Sequence, residues 1–130
     1  MAKDDELRAF FEEYGRALSR CDLPAIAAAW EVPALVLADQ GSIAVESTEQ
    51  IETFFSTAIQ QYRDQGIVST TPDIARVEWL SELVAEVRVR WLRWAAEERR
   101  GAELSQYLVR LDGARQPRIR VALMLPTAAT

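Results

Sequence analysis

Along the first part of the chain apolar residues recur at helical spacing. Leu7, Phe10, Phe11, Tyr14, Ala17 and Leu18 fall on one stripe, and Asp4, Asp5, Glu12, Glu13 and Arg16 face elsewhere. This predicts an amphipathic first helix whose leading acids suit the positive end of its dipole. Asp22 can cap a second helix that tolerates Pro24 in its first turn, with Ile26, Ala29 and Trp30 on its buried edge and Pro33 as its end. Pro33 to Leu37 is a short apolar run, Asp39-Gln40-Gly41-Ser42 is turn chemistry, and Ile43-Ala44-Val45 returns, so a β-hairpin is expected. Ser47 and Gln50 have the spacing of a capping box ahead of Ile51, Phe54, Phe55, Ala58, Ile59 and Tyr62 at helical period. Gly66 suits the left-handed position that ends this third helix.

After Gly66 the period changes from helical to alternating. Val77 and Trp79 share a face; Ala85, Val87, Val89 and Trp91 alternate against Glu86, Arg88 and Arg90; Ser105, Tyr107, Val109 and Leu111 alternate against Gln106, Leu108 and Arg110. Ile119, Val121, Leu123 and Leu125 complete the pattern, with turns expected at Ser81-Glu82, Arg99-Arg100-Gly101 and Asp112-Gly113. Long strands joined this tightly predict an antiparallel meander whose apolar face packs on the three helices. The fold class is therefore α+β: a cone of three N-terminal helices on a highly curved antiparallel sheet, enclosing a pocket. Leu92, Trp94, Leu108, Ala122 and Met124 are expected on the opposite face, a mixed surface that suggests a homodimer formed through the outside of the sheet. Pro126 to Thr130 reads as a loose tail.

At 130 residues the chain fits one domain. Its composition, 49% hydrophobic and 27% charged, is that of a globular protein, and no apolar run approaches the ~20 residues of a membrane span. The acidic start, Asp4-Asp5-Glu6, lacks the basic and apolar pattern of a secretory signal, and a cytoplasmic location is expected. A formal net charge of −5 argues against nucleic acid, and the arginines of the late strands read as solvated strand faces. Cys21 has no partner for an intrachain disulfide and reads as a packed small residue.

The order of elements resembles the nuclear transport factor 2-like superfamily, in particular its ketosteroid isomerase and SnoaL-like polyketide cyclase branches, whose fold is described as cystatin-like. The likeness is carried by Asp22-Leu23-Pro24-Ala25-Ile26 opening a helix that ends at Trp30, a hairpin ending in Gly41, Glu49-Gln50-Ile51 opening a third helix, and the strand meander. The resemblance implies a hydrogen-bond donor to a developing oxyanion in the middle of helix one, matched by Tyr14. It implies a carboxylate base at the end of the first short strand, where Ala38 stands with Asp39 one residue later, and an assisting acid whose nearest equivalent is Tyr107. One such fold hosts enzymes, binders and interaction domains alike.

The absence of His removes the commonest general base near neutral pH, every nucleophile paired with imidazole, and the usual nitrogen ligands of zinc or iron. No acidic cluster has calcium-loop spacing and no glycine-rich phosphate loop is present, so neither metal nor cofactor is expected. Carboxylate and phenol chemistry in a dry pocket remains: Asp39 as base, with Tyr14 or Tyr107 stabilising an enolate-like oxygen. Asp39 also reads as a simple turn former ahead of Gln-Gly-Ser. Trp30, Leu35, Phe54, Phe55 and Trp91 are expected to line the cavity. Two functions stay open. One is a pocket protein for a hydrophobic small molecule, either a binder or a cofactor-free acid/base enzyme. The other is a non-catalytic dimerisation or interaction domain whose cavity its own aromatics fill.

Overall fold

A computed structural model describes residues 3–125; the expected tail at Pro126 to Thr130 lies outside them. The elements are α1 (Lys3–Ser19), α2 (Leu23–Ala28), β1 (Trp30–Ala38), β2 (Gly41–Val45), α3 (Thr48–Asp64), β3 (Ser69–Trp79), β4 (Val84–Ala95), β5 (Glu98–Leu111) and β6 (Pro117–Met124). The helices pack on one curved six-stranded sheet of order β2-β1-β6-β5-β4-β3. The architecture is the expected α+β cone. Its sheet departs from the all-antiparallel expectation at one seam, where β1 and β6 run parallel. Everything from β2 to β5 lies between those two strands and supplies the long connection that a parallel pair requires.

The predicted caps form. Asp22 Oδ1 accepts from the Ala25 amide at 3.2 Å, and at the start of α3 Ser47 Oγ accepts from the Gln50 amide at 3.2 Å while Gln50 Oε1 accepts from the Ser47 amide at 3.1 Å. Each bond satisfies an amide the helix leaves without a partner. Gly66 closes the end of α3 with φ +82°. Helix α1 buries Leu7, Phe11, Tyr14, Gly15 and Ala17 against the sheet. Gly15 permits this closeness: a Cβ there would stand 3.1 Å from Pro72 Cδ and 3.2 Å from Trp91 Cζ3.

Strands β4 and β5 follow the alternation read from the sequence, with Ala85, Val87, Val89, Trp91, Ser105, Tyr107, Val109 and Leu111 buried. Strand β6 does not. Ile119 pairs with Val109 and Val121 with Leu108, which leaves Arg120 as an extra residue. Such a bulge exchanges faces beyond it. Ala122 is consequently buried and Met124 faces inward, whereas Val121 and Leu123 turn outward, the reverse of the expectation. Two boundaries also differ. Trp30 opens β1 instead of ending α2, and the β4–β5 hairpin turns at Ala96-Glu97, so that Gly101 (φ +103°) lies within β5 beside a shift in pairing.

The outer face divides into two halves. Leu35, Val121 and Leu108 form one row across β1, β6 and β5, which continues into Glu86 and Glu78 on β4 and β3. The next row runs Leu37, Leu123, Gln106, Arg88 and Arg76. Among the described residues no helix is long and apolar enough to cross a membrane.

Candidate functional site

The concave face of the sheet, α1 and α3 enclose a hollow of about 670 Å³. Four aromatic side chains build its floor. The helical stripe of α1 delivers Tyr14, the start of β1 delivers Trp30, and the inward parity of β4 and β5 delivers Trp91 and Tyr107. Trp30 Nε1 donates to the Tyr14 hydroxyl at 3.0 Å, and Trp91 Nε1 donates to the Tyr107 hydroxyl at 2.9 Å. The rings also meet: Tyr14 and Trp91 centroids lie 5.9 Å apart, Phe11 and Tyr107 5.1 Å. Each indole N–H thus finds a partner away from water, as buried polar groups must.

Burial pushes the Tyr14 phenol well above the ordinary tyrosine range; the nearby Tyr107 adds to the rise and the Trp30 N–H opposes it. Burial likewise pushes Tyr107 up, against partial relief from Trp91 and Ser105. Both phenols therefore stay neutral near pH 7 and keep their protons for donation. Each oxygen already accepts from an indole, and none of the hydrogen bonds among the described residues runs outward from the Tyr14 proton.

At the rim the chemistry becomes ionic. Arg93 Nη2 donates to the Tyr62 hydroxyl at 3.0 Å and to Glu103 Oε2, and its guanidinium lies 4.4 Å from the centre of the Tyr62 ring. The Tyr62 hydroxyl in turn donates to Glu103, 3.3 Å from either carboxylate oxygen. Burial raises the Tyr62 phenol, and the Glu103 charge raises it further. Arg63 also lines the hollow and donates to the Ser19 carbonyl at 3.3 Å. Sequence reasoning missed Arg93 and Glu103, although parity carries both: each lies two residues from an inward side chain, Trp91 and Ser105.

Of the residues expected at the site, Tyr14, Tyr107, Trp30, Phe54, Phe55 and Trp91 line the hollow together. Leu35 does not. Its strand turns Ala34 and Val36 into the core, and Leu35 pairs with Val121 on the outer face. Asp39 does not line it either: it is exposed in the turn between β1 and β2, while Ala38 and Gln40 on either side border the hollow. One step along the chain reverses a side chain's direction, which leaves Asp39 in the turn and outside the hollow. Among the described residues Glu103 is the one carboxylate lining the hollow, and no three Asp, Glu or Cys side chains converge as a metal site would require.

Solved structures with the same fold cover nearly the whole chain at low identity. A domain of unknown function with a cystatin-like fold from Nostoc punctiforme superimposes with TM-score 0.77 at 18% identity, covering 99% of this chain and 81% of its own. An NTF-2 like protein of unknown function from Shewanella oneidensis gives 0.74 at 14%, covering 96% and 100%. A ketosteroid isomerase-like protein from Erwinia carotovora atroseptica gives 0.66 at 14%, covering 95% and 94%. No curated protein matches the chain significantly. A family model described as "NTF2-like protein (DUF6841)" matches residues 5–127.

Proposed function

We propose that this chain, which belongs to the NTF2-like family, binds a hydrophobic small molecule carrying a carbonyl-type oxygen, with the Tyr14 and Tyr107 hydroxyls as donors to that oxygen. One observation carries the reading. Two buried phenols line an open hollow, their oxygens accept indole N–H bonds, and the Tyr14 proton is bound to no described acceptor. Oriented donors in a water-poor site are suited to an oxygen acceptor, and the aromatic walls suit a flat or cyclic body.

The remaining hollow of about 670 Å³ speaks against a cavity filled by its own aromatics, which the interaction-domain alternative requires. Binding is preferred to acid/base catalysis because Asp39, the candidate base, stands outside the hollow. The likeness to a ketosteroid isomerase-like protein bears on the fold alone at 14% identity.

Titration with 2-acetylnaphthalene, a flat ketone, followed through tryptophan fluorescence, to which Trp30 and Trp91 beside the hollow contribute, tests this reading. Saturable binding is expected, weakened about tenfold in Tyr14→Phe and in Tyr107→Phe by loss of a buried donor. A wild-type protein that shows no saturation up to the solubility of the ketone would remove the proposal.

A further inference from the structure

The rim contains a donor set that the oxygen-binding floor does not use. Arg93 makes both of its described hydrogen bonds through Nη2, to Tyr62 and to Glu103. Its Nε and Nη1 have no acceptor among the described residues, and its side chain retains 19% exposure beside the hollow. The guanidinium cannot swing freely, because Glu103 holds one edge while the Tyr62 ring supports its face. A planar cation fixed in this way, with donors left over, is prepared for an acceptor on a ligand.

The charge around it indicates which acceptor. The protein carries a formal net charge of −5, yet the charged side chains lining the hollow are two arginines, Arg63 and Arg93, against the single Glu103. An acidic protein thus presents a locally cationic wall. Arg93 and Glu103 compensate each other's charge, so Arg63 is the surplus cation at the rim and Arg93 offers the unused donors of its Nε and Nη1. Resting on the binding reading above, we infer that the ligand is an amphipathic organic anion: an apolar ring system against the aromatic floor and a carboxylate received by Arg93 at the rim. In this arrangement Arg93 fixes which end of the ligand enters last. Glu103 and Tyr62 act by positioning Arg93.

The experiment compares 6-acetyl-2-naphthoate with 2-acetylnaphthalene by isothermal calorimetry on the full chain at pH 7. The two share one ring system and one ketone oxygen and differ in the carboxylate. Wild-type protein is expected to bind the carboxylate about tenfold more tightly than the ketone, the size of a charge-assisted hydrogen bond at a partly exposed site. The preference should shrink in 0.5 M salt, as screening of a partly exposed ionic contact requires. Arg93→Met should abolish it while leaving ketone affinity within about twofold of wild type, since the loss is confined to the charged contact. A carboxylate bound no more tightly than the ketone, or a loss in Arg93→Met that is equal for both, overturns the anion assignment and leaves the pocket reading intact. Failure of both probes overturns the pocket reading itself. The wild-type comparison and its salt dependence need no variant, so they decide the matter even where Arg93→Met folds poorly.

Discussion

The floor and the rim of the hollow solve the same problem with different chemistry. On the floor, Tyr14 and Tyr107 are 3% and 4% exposed and are held by neutral indole donors. At the rim, Arg93 and Glu103 keep 19% and 30% of their side-chain surface and are held by opposite charge. The difference follows the cost of dehydration. A neutral hydroxyl can be buried cheaply once it has a hydrogen bond, whereas an ion loses several kcal/mol or so of hydration that a partner must restore. On the proposed reading, depth then sorts the groups of a ligand: uncharged oxygen within, charge near water.

The strongest way to break this contrast is through stability. Phe11 is wholly buried beneath Tyr107 and Trp91, and Phe11→Ala should cost about 3–5 kcal/mol in urea unfolding. Arg93→Met, which leaves Glu103 without its cation at a pair only 19% and 30% exposed, should cost less, about 1–2 kcal/mol. Comparable losses at both positions would show that the rim is as much a part of the core as the floor.

Alkaline titration sharpens the contrast by a smaller amount. Burial raises the Tyr14 phenol above its ordinary value of 10.0, so the folded state favours the protonated form. That contribution is fully present below about pH 10 and is lost as pH rises beyond it, because the unfolded chain then ionises first. Melting temperature should accordingly hold steady through pH 7–9 and fall above about 10. The fall should be shallower in Tyr14→Phe, and an unchanged slope would remove Tyr14 from the buried pair. The smallest effect is expected at Asp39→Asn, an exposed turn position outside both zones. Ketone affinity should stay within about twofold and stability within about 0.5 kcal/mol of wild type, and a larger loss of affinity would bring Asp39 back to the site.

Much of the floor was legible because each contributor lies within a strong repeating pattern. Tyr14 sits on a clear helical stripe, and Trp91 and Tyr107 sit on uninterrupted strand alternation. What escaped the sequence was set by interruptions that no local pattern signals. The bulge at Arg120 exchanged the faces of Val121 to Met124, and the short apolar run of β1 gave no parity by which Leu35 and Asp39 could be placed. The rim escaped for another reason. Arg93 and Glu103 obey the alternation, but charged residues on an inward face look like exceptions until a partner across the hollow, Tyr62 on α3, is in view. Proximity between distant segments is a property of the closed fold.

Gly15 shows how little material governs the size of this chamber. Pro72 and Trp91 stand a few tenths of an ångström too near for a methyl group here. Gly15→Ala would wedge the helix away from the indole or tip the indole toward the cavity, so one missing carbon acts as a spacer that calibrates the room left for a guest. Relatives that carry a bulkier residue at this point in the helix would be expected to admit thinner molecules, even with every polar contact unchanged.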